Sequence, residues 1–213
     1  DLHTHRRRQR QMCIRDREIR DMALATSGEL NRMLGGPSVR PFQPPNYFSA
    51  NSGKRWTPDT GAQSRRRALY TYMQRTSPFP AHLIFDAPSR QICTAMRPRT
   101  NTPLQALVLM NDPLFVQAAG ALAQQTLRMD SATSEERARF LFRSILSRLP
   151  SDDELDVLLL TVREQLAVYE AQPEAADALL NAAGISEIEN SKHELAAWTN
   201  LANVVLNLDE AIT

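Results

Sequence analysis

Residues 151–171, SDDELDVLLLTVREQLAVYEA, decide the fold class. Ser151 followed three residues later by Glu154 is a capping box, in which each side chain satisfies a main-chain N–H that the first helical turn leaves open. Leu155, Leu158, Leu159, Val162, Leu166 and Tyr169 then recur at three- and four-residue intervals, the spacing of one helix face. Thr133 and Glu136 repeat the box before Phe140, Leu141, Ile145 and Leu146. Residues 174–183 read as a short helix stopped by Gly184. Residues 194–212 read as a helix apolar on two sides: Leu195, Trp198, Ala202, Val205, Leu206 and Ile212 on one, Leu201, Val204 and Leu208 on the other. The expectation is a mostly α protein, an irregular multi-helix bundle, with no repeat of solenoid length.

Toward the N-terminus the signals thin out. Thr102-Pro103 and Asp112-Pro113 open helices over 104–110 and 114–129, because Thr or Asp caps the free amides and proline suits the first turn. Residues 64–76 are predicted helical, with Leu69, Tyr72 and Met73 among arginines and Pro78 and Pro80 ending the run. A short extended piece is expected over 82–85. Residues 38–62 form a long loop rich in Pro, Asn and Ser, and Phe42, Tyr47, Phe48 and Trp56 argue that it packs on something. The spacing predicts a helix over 18–34, stopped by Gly35-Gly36-Pro37.

Residues 1–17 read as a translated sequencing adapter. GAT CTA CAC encodes Asp1-Leu2-His3, three index-derived codons follow, and a second fixed block encodes the run from Arg7 to Arg17 in the same frame. The competing reading is a basic arm for nucleic acid. Setting the segment aside leaves 19 basic and 22 acidic side chains, a net charge of −3 in place of +1 for all 213 residues. The genuine chain is then expected to be the C-terminal part of one mainly helical domain. Within it lie the 38–62 loop, a basic middle at 63–112 and an acidic helical bundle at 113–213.

Composition excludes several classes. Hydrophobic residues at 42% and charged residues at 23% belong to a globular chain and argue against wholesale disorder. The longest apolar run covers only 106–110, too short for a membrane span. Cys93, His82 and His193, all that remains after residue 17, cannot build a metal or haem site alone, so no cofactor is expected in 18–213.

Charge is unevenly spread. Residues 40–100 carry ten Lys/Arg against Asp59 and Asp86, whereas 101–213 carry seven against seventeen acidic side chains. The basic stretch suits an anionic partner, a sulfated or uronic polysaccharide or nucleic acid, unless basic and acidic parts neutralise each other. Arg66, Arg67 and Tyr70 are ligand-binding candidates, since guanidinium groups beside rings grip sugars and phosphates. Three consecutive arginines nevertheless fan around a helix and cannot all reach one ligand. Arg97, Thr102, Gln105 and Asn111 gather near two helix starts where amides favour anions, although capping and loop-fixing bonds explain the same pattern. Asp86 with His82 is the candidate acid/base pair; no nucleophile motif stands nearby, and Cys93 reads as a small buried side chain.

An ordered set of motifs carries a family resemblance. It comprises Ser27-Gly28, Gly35-Gly36-Pro37-Ser38-Val39, Arg66-Arg67-Ala68-Leu69-Tyr70-Thr71-Tyr72 with Arg75-Thr76, and Phe85-Asp86-Ala87-Pro88-Ser89-Arg90. It continues with Arg99-Thr100-Asn101-Thr102-Pro103-Leu104-Gln105-Ala106-Leu107, Asn111-Asp112-Pro113, Trp198-Thr199 and the closing run from Leu206 to Thr213. The chain resembles domain of unknown function 1553, the C-terminal domain of large proteins common in Planctomycetes and related bacteria, often behind a cytochrome c-like domain. The resemblance implies a periplasmic or extracellular protein tied to complex polysaccharide, with its own missing N-terminal domains as partners and haem only upstream. No C-x-x-C-H run occurs here, and the family supplies no catalytic residues to carry over. The leading expectation is a non-catalytic binding or scaffold module. Its rival is part of a polysaccharide-acting enzyme in which Asp86, Arg67 and Arg97 join residues outside this chain. Nucleic acid is disfavoured once the adapter arginines are removed.

Overall fold

The computed structural model describes residues 15–53, 55–88, 100–129, 131–186 and 191–212. Ten α-helices and two single 3-10 turns occur among them, with isolated β-bridges and no named strand. Residues up to Asp21 with Leu30–Val108 make one compact unit, and Met22–Glu29 with Leu109–Thr213 make the other.

The second unit is built from the strongest sequence signals. Helix α5 (Pro113–Leu127) starts where Asp112 accepts the Leu114 N–H at 2.9 Å. Helices α6 (Ser134–Leu146) and α7 (Asp152–Ala171) each start at a complete capping box. In the latter, Ser151 Oγ accepts the Glu154 N–H at 3.2 Å and Glu154 accepts the Ser151 N–H at 2.7 Å. Helix α8 (Pro173–Ala182) ends before Gly184, whose φ of +70° is the left-handed conformation that glycine adopts cheaply. Helix α9 (Lys192–Leu206) packs on α5, α6, α7 and α8 and is the centre of this unit. Its Leu195, Trp198, Leu201, Ala202, Val205 and Leu206 are all buried. Gly120 lets α5 approach the end of α8: a Cβ there would stand 2.9 Å from Ala183 Cβ.

One expectation fails here. The last helix does not run to residue 212; it breaks at Asn207, and a separate turn, α10 (Asp209–Ile212), follows. Val204 and Leu208, assigned to a second apolar face, are partly exposed.

Three further expectations fail in the N-terminal half. Helix α1 (Arg15–Thr26) stops well before Leu34. Ser27 and Glu29 donate back to the Ala23 and Leu24 carbonyls, and Gly28, at φ +70°, closes the end. The predicted helix at 64–76 is a single 3-10 turn, Ala68–Tyr70, between extended flanks. Those flanks are claimed by distant main chain: Asn31 donates to Arg65 O at 2.9 Å, Val39 to Tyr70 O at 2.8 Å, and Tyr72 back to Val39 O at 2.7 Å. Residues 82–85 are not extended, because Pro80 begins a short helix, α3 (Pro80–Ile84). The 38–62 segment contains helix α2 (Tyr47–Ser52), and of its aromatic residues Phe48 and Trp56 pack while Phe42 is exposed. Phe48 and Trp56 rings lie 5.0 Å apart, Trp56 also meets Tyr72 and Phe79, and Trp56 Nε1 donates to Pro41 O at 3.0 Å. Helix α4 (Pro103–Asn111) begins where the Thr-Pro pair places it.

Candidate functional site

The three consecutive arginines have three different fates. Arg66 is fully buried. Its Nη1 donates to Pro37 O at 2.9 Å and its Nη2 to Met33 O at 3.5 Å and to Gly35 O, while the guanidinium lies 4.1 Å over the Tyr70 ring. A buried guanidinium is tolerable only when its donors meet acceptors. Here main-chain carbonyls meet both Nη groups, so Arg66 holds a loop and presents no face to a ligand. Tyr70 completes the same loop, its hydroxyl accepting the Gly35 N–H at 2.8 Å.

Arg67 is half-exposed and sits 3.6 Å from the Asp21 carboxylate. Burial pushes the Asp21 carboxyl above its ordinary range, although the Ala68 N–H and the Arg20 and Arg67 cations pull the other way. Arg20, which no sequence signal singled out, is as deeply used as Arg66: it donates to Arg66 O at 2.7 Å and to Ser64 O. Spacing along the chain cannot reveal such a residue, because its partners lie more than forty positions away.

Asp86, Thr102 and Gln105 come together, with Thr100. Asp86 sits at φ +63° and accepts the Thr100 N–H and hydroxyl, both at 2.8 Å. Fully buried Gln105 donates to Ile84 O at 2.8 Å and to Thr100 Oγ1 at 3.1 Å, and its Oε1 accepts the Thr102 N–H at 3.3 Å. These bonds fix a loop to the start of α4. They occupy the Asp86 carboxylate, unlike that of a free general base. His82 has the Asp16 carboxylate near it, with Oδ2 3.9 Å from Nδ1, both side chains buried and the imidazole packed edge-on to Phe79. Asn111 is exposed at the end of α4. Arg97 and Cys93 lie outside the described residues.

The outward-facing cations of the first unit are others. Arg40 and Arg55 are exposed, and the Arg40 guanidinium lies 5.1 Å over the Tyr72 ring, which belongs to the Phe48–Trp56–Phe79 cluster. Asp59 stays close by accepting the Arg40 N–H at 2.6 Å. An exposed guanidinium lying over a ring that is backed by packed aromatic residues can meet the carboxylate or sulfate of a sugar. Among the described residues, no three His, Cys, Asp or Glu side chains gather as metal ligands, and no single helix is long and apolar enough to cross a membrane.

Comparison with known sequences agrees with the motif pattern. The family model "Protein of unknown function (DUF1553)" matches residues 3–162, beginning inside the segment that reads as adapter. No curated protein matches the chain, and no solved structure does.

Proposed function

The chain belongs to the DUF1553 family, and from that premise we propose that it is a non-catalytic binding and scaffold module whose first unit takes an anionic polysaccharide. It would serve as the C-terminal part of a longer extracytoplasmic protein, with the further domains of that protein as its neighbours. The observation that carries the reading is the Arg40–Tyr72 pairing on an aromatic cluster, in a stretch where Asp59 is the sole carboxylate between residues 30 and 85. The positive charge there has few internal counterions, and a polyanion supplies them. The rival reading, an enzyme using Asp86 and Arg67, has less support, because Asp86 is tied to Thr100 and Arg67 to Asp21.

Titration calorimetry with heparin and with polygalacturonate, at low and at high salt, tests it. Arg40→Ala/Arg55→Ala should weaken binding severalfold and flatten its salt dependence, while Arg128→Ala, in the acidic half, should not. Binding that ignores the double substitution, or no binding at low salt, would sink the proposal.

A further inference from the structure

We propose that the loop at Met33-Leu34, with Leu69 of the segment bonded to that loop, docks the protein on an anionic lipid surface. This goes beyond polysaccharide binding and stands on different residues. Leu34 is 78% exposed and Leu69 61%, the two most exposed large apolar side chains among the described residues of the first unit, and Met33 is 44% exposed. Exposed leucines are common singly, but these belong to two segments joined by a dedicated set of bonds. The Arg66 guanidinium holds the carbonyls of Met33, Gly35 and Pro37, and the Tyr70 hydroxyl, next in sequence to Leu69, holds the Gly35 N–H. Gly35 and Gly36 take φ of +73° and +85°, a turn that other residues enter only with strain. The fold therefore commits a buried arginine to holding one loop, and what that loop carries outward is a methionine and a leucine.

Charge selects the occupant. Arg32 is exposed next to Met33, and half-exposed Arg67 shares Asp21 as its counterion. Residues 30–58 contain no carboxylate at all. An apolar tip flanked by an exposed arginine, in a stretch without carboxylates, fits the boundary between acyl chains and anionic headgroups, which yields to any convex shape. Leucine and methionine offer a sugar polymer neither a ring to stack on nor a hydrogen bond. A second copy would bring the same positive charge against itself.

Co-sedimentation with vesicles tests the assignment, using phosphatidylcholine alone and equal parts phosphatidylcholine and phosphatidylglycerol. The wild-type chain should pellet with the anionic vesicles and much less with the neutral ones. Leu34→Ser/Leu69→Ser replaces exposed side chains, so the fold should survive, which circular dichroism checks. That variant should lose about tenfold in partitioning, the effect of withholding roughly one large aliphatic side chain from the interface. Its heparin binding should be unchanged, which separates this failure from that of the polysaccharide reading. Three outcomes would overturn the proposal: no binding by the wild type, binding that survives both serines and so reflects charge alone, or an oligomer that the serines dissociate without any effect on vesicles.

Discussion

The two units are held together by different physics. In the second, helices α5 to α9 bury Leu122, Leu141, Phe142, Leu180, Trp198 and Leu201, and the polar side chains that matter mostly cap helix ends. In the first, regular structure is short, and side chains reach across the chain to satisfy main chain. Arg20 holds the carbonyls of Ser64 and Arg66, Arg66 those of the Gly35 turn, Asn31 that of Ala62, Asp21 the Ala68 N–H and Gln105 the Ile84 carbonyl. An irregular segment leaves many backbone groups without ladder partners, and every buried one must be met by something. Long polar side chains are that something here. Basic residues that look like ligand-binding candidates in the sequence are thus divided between cementing the segment and facing outward.

Substitutions sharpen the contrast. Trp198→Ala should be the most damaging single change, costing about 3–5 kcal/mol, because a fully buried indole leaves a cavity that α5, α7 and α8 cannot close. Its effect, read by guanidinium denaturation with hydrogen exchange, should centre on amides of 113–206. Arg66→Met keeps the bulk of the side chain but removes its donors, freeing three part-buried carbonyls and the contacts that hold the Gly35 turn. A loss of about 2–4 kcal/mol is expected, with faster exchange confined to residues 31–40 and 66–72. Should Arg66→Met prove neutral, the carbonyl-holding account of the first unit is wrong.

How much was legible in the sequence follows the same division. Helix starts at Pro103, Pro113, Ser134 and Asp152 could be read because a cap and its partner lie within three residues of each other. The apolar period of α7 and α9 is equally local. The 18–34 helix was over-extended because Leu30, Met33 and Leu34 continue the apolar rhythm past Gly28, and rhythm alone cannot show that Gly28 has already closed the helix. Within Arg65-Arg66-Arg67 nothing local distinguishes the buried member from its neighbours. That distinction depends on carbonyls near residue 35, some thirty positions away. Of the candidate residues, Asp86, Thr102 and Gln105, which belong to separate signals in the sequence, come together in space, and bonds to Thr100 and Ile84 make them loop-fixing structure. Of the pair that carries the surface reading, Tyr72 stands beside the arginine run in the sequence, whereas Arg40 stands alone and meets that ring only after folding.

The smallest expected effect belongs to a polar cluster of the second unit. Arg148 lies 4.8 Å over the Phe142 ring and makes paired hydrogen bonds, of 2.7–2.8 Å, to both Glu154 and Glu210. It thereby fastens the short helix α10 to the start of α7. Those bonds, with the Ser151 N–H, hold the Glu154 carboxyl at about 2, down from 4.5, and they lower Glu210 as well. A carboxyl lowered in the folded state contributes stability that is complete above about pH 4.5 and disappears as pH falls toward 2. The wild-type melting temperature should therefore decline across that window more steeply than that of Arg148→Gln, and the two curves should converge at the acid end. All three side chains are solvent-accessible, so the difference at neutral pH should be slight and should shrink further in high salt. Ser151 still caps Glu154 in the variant, so some acid sensitivity should persist. Parallel melting curves from pH 6 to 2 would show that the cluster is solvated decoration, and that the second unit needs nothing beyond its apolar core and helix caps.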